Sequence, residues 1–285
     1  MNLKIISFCN YPYREIALNW VKHLEALAID NYEVLCLDFE SHEYLKSHDC
    51  NSRVLDEFND DWISGCKHTM RRTFIFKKYL EDGVDIIHSD TDALWLKNPI
   101  PELIEPNSQD IIVSTVRHRE AFPPEVREAF GFTCCMGWIF FRSNQNTINY
   151  LDKFLNTREI KGSDQQNFNR FLLDNKPHIE PHDTGDELII DNTADQDYNY
   201  QELSLLALSK PLVKRGPIED ETYVWHPNTK KEAEYIINDA EISVIFVGGQ
   251  EEYDKAVQIL ETNIYLKVIV AFDKSIVLDR TENSI

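Results

Sequence analysis

Short apolar runs, each followed by a stretch of helical spacing, constrain this chain more than any other feature of its sequence. Met1-Asn2-Leu3-Lys4-Ile5-Ile6-Ser7-Phe8-Cys9 reads as a first buried strand. From Arg14 onward Ile16, Trp20, Leu24 and Leu27 recur on one helical face with Ala17 and Val21 beside them, and Asn31 breaks the pattern before the strand-like run Tyr32 to Phe39. A second helix is expected over Thr69 to Leu80, stopped by Gly83, and Val84-Asp85-Ile86-Ile87 is the next buried strand. Asp110 to Val116 and Met136 to Phe141 are strand-like in turn. Asn144 to Asn156 is helical, as is Ser163 to Asp174, which opens with the capping box Ser163-x-x-Gln166. Strands alternating with helices predict an α/β fold, a Rossmann-like twisted and mostly parallel sheet with helices on both faces.

The chain has 285 residues, 42% of them apolar, ample for a sizeable core. After Lys231 the pattern restarts as helix, strand (Ile242 to Val247), helix (Glu251 to Leu260) and two strands (Tyr265 to Phe272, Ser275 to Leu278). The expected division is a main domain at 1–231 and a small accessory α/β unit at 232–285, while Asp183 to Asp197 reads as an acidic surface loop. Lys and Arg number 29 against 49 Asp and Glu, and the resulting charge of −20 repels phosphate backbones and anionic headgroups. Nucleic acid and membrane surfaces are therefore poor partners. No apolar run approaches the roughly 18 residues of a membrane span. Six cysteines without a C-x-x-C, and the absence of any Asn-x-Ser/Thr sequon, favour a reducing cytoplasm. Cys134-Cys135, on a strand, point to opposite faces and read as small buried hydrophobes. His178 and His182 are four apart, but Pro177 and Pro181 forbid the helix that would align them as a zinc pair.

The chemistry concentrates after the strand at Val84. Asp90-Thr91-Asp92 puts two carboxylates one residue apart at a strand's carboxyl end, where open α/β sheets bind ligands. Such a pair can hold a hard divalent cation, Mn²⁺ or Mg²⁺, which takes phosphate oxygens as further ligands, so a diphosphate is the natural third party. Asp195-Gln196-Asp197, in the acidic loop, reads as solvated charge.

The full segment Gly83-Val84-Asp85-Ile86-Ile87-His88-Ser89-Asp90-Thr91-Asp92-Ala93-Leu94-Trp95-Leu96-Lys97-Asn98-Pro99 closely resembles the D-x-D-x-x-W-x-x-(N/D)-P signature of the nucleotide-diphospho-sugar transferase family, GT-A-fold glycosyltransferases that include plant xylosyl- and arabinosyltransferases. In the same order, Arg72 stands where that family carries a donor-site arginine, Phe132 to Ser143 looks like its donor-pocket strand, and Asp164-Gln165-Gln166-Asn167-Phe168-Asn169 is similar to its D-Q-x-x-F-N helix. Trp225-His226-Pro227-Asn228-Thr229-Lys230-Lys231 is similar to its late H-x-N followed by lysine. The resemblance implies a GT-A-type fold and a metal-dependent transfer of sugar from a UDP-sugar to a glycan or other hydroxyl acceptor, with retention. It implies that Asp90, Asp92 and His226 hold the metal and that Asp90, Thr91 and Gly137 contact the donor. Arg72 with Lys230 or Lys231 would neutralise the diphosphate, and Asp164 and Gln165 would face the transferred sugar. Asn10 and Tyr11, in the loop after the first strand, are placed for the nucleotide base, Tyr11 by stacking. Arg117 to Pro124 is expected to be the acceptor lid.

Two other readings compete. Ile87 to Leu94 also resembles the first motif of haloacid-dehalogenase-type phosphatases, in which Asp90 would be the phosphorylated nucleophile. Against this, a whole β-α-β unit precedes the motif and Leu94 stands where Thr or Val is wanted. The other is a non-catalytic sugar-nucleotide or glycan-binding module that kept the fold and lost turnover.

Overall fold

The computed structural model describes residues 2–55, 70–117, 123–156, 163–182, 203–209, 211–214 and 220–226, and the backbone of three later strands. In chain order the first elements are β1 (Leu3–Cys9), α1 (Arg14–Ala26), β2 (Tyr32–Cys36), α2 (Phe39–Lys46), β3 (Ser52–Val54), α3 (Met70–Glu81), β4 (Asp85–Ser89) and β5 (Leu94–Trp95). Then come β6 (Ile111–Val116), α4 (Pro124–Phe130), β7 (Thr133–Phe141), α5 (Gln145–Leu155), α6 (Asp164–Asn175), β8 (His178–Pro181) and β9 (Ser204–Ala207). The remainder are β10 (Val213–Lys214), β11 (Val224–Trp225), β12 (Val244–Phe246), β13 (Val268–Ala271) and β14 (Ile276–Asp279). The expected acidic loop at Asp183 to Asp197, the helix at Glu251 to Leu260, and Lys230 and Lys231 lie outside the described residues.

The packing falls into two compact units that share the chain in alternation. One comprises Met1–Ile6, Asp56–Asp90 and Pro99–Val213; the other comprises Ser7–Leu55, Thr91–Asn98 and Lys214–Ile285. In the first, the strand order is β1-β4-β7-β6-β9-β8. The pairs β1–β4, β6–β9 and β8–β9 are parallel, as the alternation predicts. β7 departs from it, running antiparallel to both β4 and β6. It is buried along all nine residues, because strands are packed on its edges and helices over its faces.

Aromatic rings hold the helices of this unit to the sheet. Phe141 of β7 meets Phe76 of α3 at 5.5 Å between centroids and Phe168 of α6 at 6.3 Å, and Phe168 in turn meets Phe154 and Tyr150 of α5. Trp138 is fully buried, and Cys134 and Cys135 are buried as expected. α3 stops where Gly83 takes φ +77, a left-handed conformation that costs glycine nothing, while Val84 N–H donates back to the Tyr79 carbonyl. α6 begins with the expected capping box, Ser163 and Gln166 exchanging side-chain-to-backbone hydrogen bonds, an arrangement worth roughly 1 kcal/mol.

In the second unit, β2 continues alongside the end of β1, with Leu37 N–H donating to the Cys9 carbonyl, and β3 pairs parallel with β2. The run Tyr32 to Phe39 does not stay extended. Asp38 accepts from Ser41 N–H and opens α2 at Phe39, since a helix cap in hand outweighs the weak strand preference of Leu37-Asp38-Phe39. β5 and β11 form a short antiparallel pair, Trp95 opposite Val224 and Leu94 opposite Trp225. Trp95 is buried. β12, β13 and β14 form a separate three-stranded sheet from the expected strand regions of the chain's last part. No described helix is long and apolar enough to cross a membrane.

Candidate functional site

In the first unit the strand-end aspartate sits in a charged network. Asp90 follows β4 directly, and its N–H donates to the Gly137 carbonyl on β7 at 2.8 Å. From α3, Arg72 donates through Nη1 to Asp90 Oδ1 (2.8 Å) and through Nε and Nη2 to Asp164 Oδ2 (2.8 and 2.6 Å). Residues Arg72, Asp90 and Asp164, each singled out in the sequence, are thus brought together by one guanidinium. Asp164 is buried at the first position of α6, and its other oxygen accepts from Gln165 N–H. The Gln165 side chain bonds outside this cluster; its Oε1 accepts from Met136 N–H on β7.

His88 completes the network and was not singled out from sequence. It is wholly buried in β4, with Nδ1 3.3 Å from the Ile6 carbonyl and Nε2 3.0 Å from Arg72 Nη1 and 3.1 Å from Asp90 Oδ1. A proton on Nδ1 suits the carbonyl, which leaves Nε2 to accept from Arg72. Burial holds the imidazole below its ordinary pKa, assisted by the Arg72 charge and opposed by Asp90. The available signal was a titratable residue directly after the apolar Ile86-Ile87 pair of the strand, two positions before Asp90. Arg72 moves the other way: burial alone would lower it, but Asp90 and Asp164 raise it above its ordinary value. One positive charge faces two carboxylates here.

In the second unit, His226 Nε2 lies 3.2 Å from Asp92 Oδ1. The pairing explains why. β11 runs antiparallel to β5, so one step past the Trp225–Leu94 pair His226 comes level with Ala93, beside Asp92. The His226 backbone is anchored as well, its N–H donating to the Lys214 carbonyl at 2.9 Å. His226 is buried, and Asp92 is mostly so. Also in this unit, Asn10 precedes a 3-10 turn at Tyr11–Tyr13, and Tyr11 N–H donates to Asp38 Oδ2. The Tyr11 ring is half exposed, with the Arg14 guanidinium 4.1 Å above it. Thr91 is buried between the two aspartates. Of the expected lid, Arg117 donates to Thr115 Oγ1 and the Leu208 carbonyl, Pro124 begins α4, and 118–122 lie outside the described residues.

Residues 27–232 match the nucleotide-diphospho-sugar transferase family, and the chain belongs to it. It is 32% identical over 121 residues, 40% of its length, to an arabinosyltransferase of Arabidopsis thaliana. It is 22% identical over 188 residues, 54% of its length, to a UDP-galactose:fucoside alpha-3-galactosyltransferase of Dictyostelium discoideum. The matches cover only 19% and 28% of those relatives. Among solved structures it is similar to the galactosyltransferase LgtC in complex with donor and acceptor sugar analogs, with TM-score 0.43 and 16% identity, covering 58% of this chain and 69% of that one. It is also similar to apo mouse xyloside xylosyltransferase 1, with TM-score 0.41 and 12% identity, covering 63% and 88%.

Proposed function

We propose that this chain transfers a glycosyl unit from a UDP-sugar to the hydroxyl of a glycan or other acceptor, with retention of configuration and with Mn²⁺ or Mg²⁺ in the donor site. The observation that carries the reading is the Asp92–His226 pair, an imidazole and a carboxylate drawn together from distant parts of the sequence immediately after Asp90. With Asp90, two residues before Asp92, this pair would make up the metal-ligand set that the family resemblance implies. Two carboxylate oxygens and one imidazole nitrogen are hard to borderline donors that suit Mn²⁺ or Mg²⁺ and not a soft ion. Bound there, the cation would supply charge compensation for the diphosphate leaving group.

The charge count supports a need for that cation. Arg72 is already offset by Asp90 and Asp164, so it brings no surplus positive charge to a diphosphate. Lys230 or Lys231 would add to the compensation, Thr91 and Gly137 would contact the donor, and Asn10 and Tyr11 would receive the base. With both its oxygens committed, Asp164 would act by holding Arg72 in place at the sugar side, next to Gln165. No enzyme nucleophile is needed. The acceptor hydroxyl attacks the anomeric carbon on the face the diphosphate leaves, the carbon–phosphate-oxygen bond breaks, and the hydroxyl proton passes to a phosphate oxygen of the departing UDP.

Family membership favours transfer over the phosphatase reading. For location, the reading is a reducing cytoplasm, which suits small buried thiols such as Cys9, Cys36, Cys50 and Cys134. The test is UDP release from a panel of UDP-, GDP- and dTDP-sugars, with p-nitrophenyl phosphate hydrolysis measured on the same preparation. We expect slow, Mn²⁺-dependent UDP release with water as acceptor and no phosphate-ester turnover. Metal-dependent donor binding without release would mark a binding module, and ester hydrolysis alone would restore the phosphatase.

A further inference from the structure

We propose that a three-residue bulge in β7 is a positioning device for Asp90, and that Ser114 and Asn169 are the residues that lock it. The inference rests on the donor-site reading of Asp90 given above.

Val113 of β6 faces Ile139 of β7, yet the next residue, Ser114, faces Cys135. Met136, Gly137 and Trp138 therefore have no counterparts on β6 and bow out of the ladder. The bowed segment meets the strand end that carries the chemistry: Trp138 pairs with Ser89, and the Gly137 carbonyl takes the Asp90 N–H at 2.8 Å. Where Asp90 begins is thus set by where the bulge holds Gly137.

An odd insertion of backbone into a sheet is free to slide unless its polar groups are tied. Here they are tied by side chains. Ser114 Oγ lies 3.1 Å from the Cys135 carbonyl and 2.9 Å from the Trp138 carbonyl, the two residues that bracket Met136 and Gly137. The hydroxyl, itself buried, staples the ends of the bulge together. β4 has no residue paired with Cys134, and Asn169 takes both backbone groups there. The Cys134 N–H donates to Asn169 Oδ1 at 2.7 Å, and Asn169 Nδ2 donates to the Cys134 carbonyl at 2.9 Å. One helical turn earlier on the same face of α6, Gln165 Oε1 accepts from Met136 N–H. The helix serves this stretch as a substitute strand, and Asn169 is completely buried while doing so.

The side chain of Asp90 is oriented by Arg72, and its backbone by the bulge, so the carboxylate is held at both ends. Loosening the bulge leaves the carboxylate's partners in place and frees its anchor. Ser114→Ala removes the staple, and Asn169→Asp keeps an acceptor but loses the amide donations to the Cys134 and Gln165 carbonyls. In the full-length chain each variant should speed hydrogen exchange at the Asp90 amide, read by mass spectrometry, and weaken the binding of Mn²⁺ alone by roughly 10-fold, the usual cost of losing a residue that orients a metal ligand. Ile112→Val, on the regular part of the same ladder opposite Phe140, is the control for general destabilisation and should change neither. Unchanged exchange at Asp90 in both variants, faster exchange with Mn²⁺ affinity intact, or the same response in Ile112→Val would each overturn the positioning role. If the wild-type chain has no Mn²⁺ affinity, the donor-site reading falls by itself, and the exchange measurement still decides whether Ser114 and Asn169 hold Asp90.

Discussion

Asp90 and Asp92 are separated by one residue, yet the regions that hold them leave a carboxylate very different freedom. Asp90 is tied by its backbone to Gly137 and by its Oδ1 to Arg72, whose Nη1 also donates to His88, in a network that also binds Asp164. Asp92 has one partner among the described residues, His226, at a distance that an ordinary hydrogen bond barely spans. A network in which every member satisfies another resists displacement, whereas a lightly held carboxylate keeps lone pairs for an incoming ligand. Under the proposed function, this contrast would make Asp90 mainly a fixed reference point and Asp92 with His226 the part that answers to the metal.

The sharpest way to break the contrast is to neutralise each side separately. Asp92→Asn should cut metal-dependent UDP release by about 1000-fold and abolish the difference between UDP binding in Mn²⁺ and in EDTA, with little change in melting temperature. His226→Ala should lose roughly 10 to 1000-fold in rate, since one ligand is removed and the others stay. A melting temperature that collapses in Asp92→Asn would mean that the pair is structural. Asp164→Ala should do the opposite. It strands Arg72, which is mostly buried, against a single remaining carboxylate, and breaking a buried ion pair in this way costs about 3 kcal/mol. Urea unfolding would measure that, and a loss under about 1 kcal/mol would show that the network is looser than its distances suggest.

How the sequence reported these regions follows from where the information lies. The elements that carry the first network were legible: α3, β4 and α6 are strongly periodic, and Gly83 and Ser163 punctuate them in their usual roles. Asp90 and Asp92 stood out because a paired carboxylate followed a buried strand. The bulge was not legible, since Met136-Gly137-Trp138 reads as ordinary strand and its register exists only in the pairing with β6. The Asp92–His226 contact depends on two strands of two residues each, too short for any period, and only the family resemblance brought His226 forward. α2 was missed because a single cap, Asp38, overrode an apolar run.

Acid should act on both regions through buried imidazoles. His88 in the first unit and His23 in the second are held below their ordinary pKa by burial, His23 against a hydrogen bond to the Trp95 carbonyl. A histidine whose folded pKa is depressed binds its proton more readily in the unfolded chain. Its contribution to stability is therefore present above the unfolded value of about 6.5 and is lost as the pH falls below it. The urea midpoint should be flat above neutrality and decline from pH 7 toward pH 5. His23 Nε2 has no hydrogen-bond partner among the described residues, so His23→Asn should flatten part of that decline without touching the Mn²⁺ affinity. An unaltered slope in His23→Asn would assign the acid sensitivity elsewhere.

The smallest effect is expected at Tyr11, where the second unit offers a surface and no network. Half of the ring is exposed, and the Arg14 guanidinium covers one face at 4.1 Å. A base stacked on the open face would gain about 1 kcal/mol, at the low end of base–aromatic stacking, because the ring is attached to a turn and not buried in a pocket. Tyr11→Leu should therefore weaken UDP about 5-fold while leaving the binding of Mn²⁺ alone unchanged, and Tyr11→Phe should restore the affinity, since stacking asks nothing of the hydroxyl. If Tyr11→Phe is as weak as Tyr11→Leu, the hydroxyl and not the ring face is what the nucleotide uses. If neither variant changes UDP affinity, the base lies elsewhere, and this loop drops out of the proposed donor site.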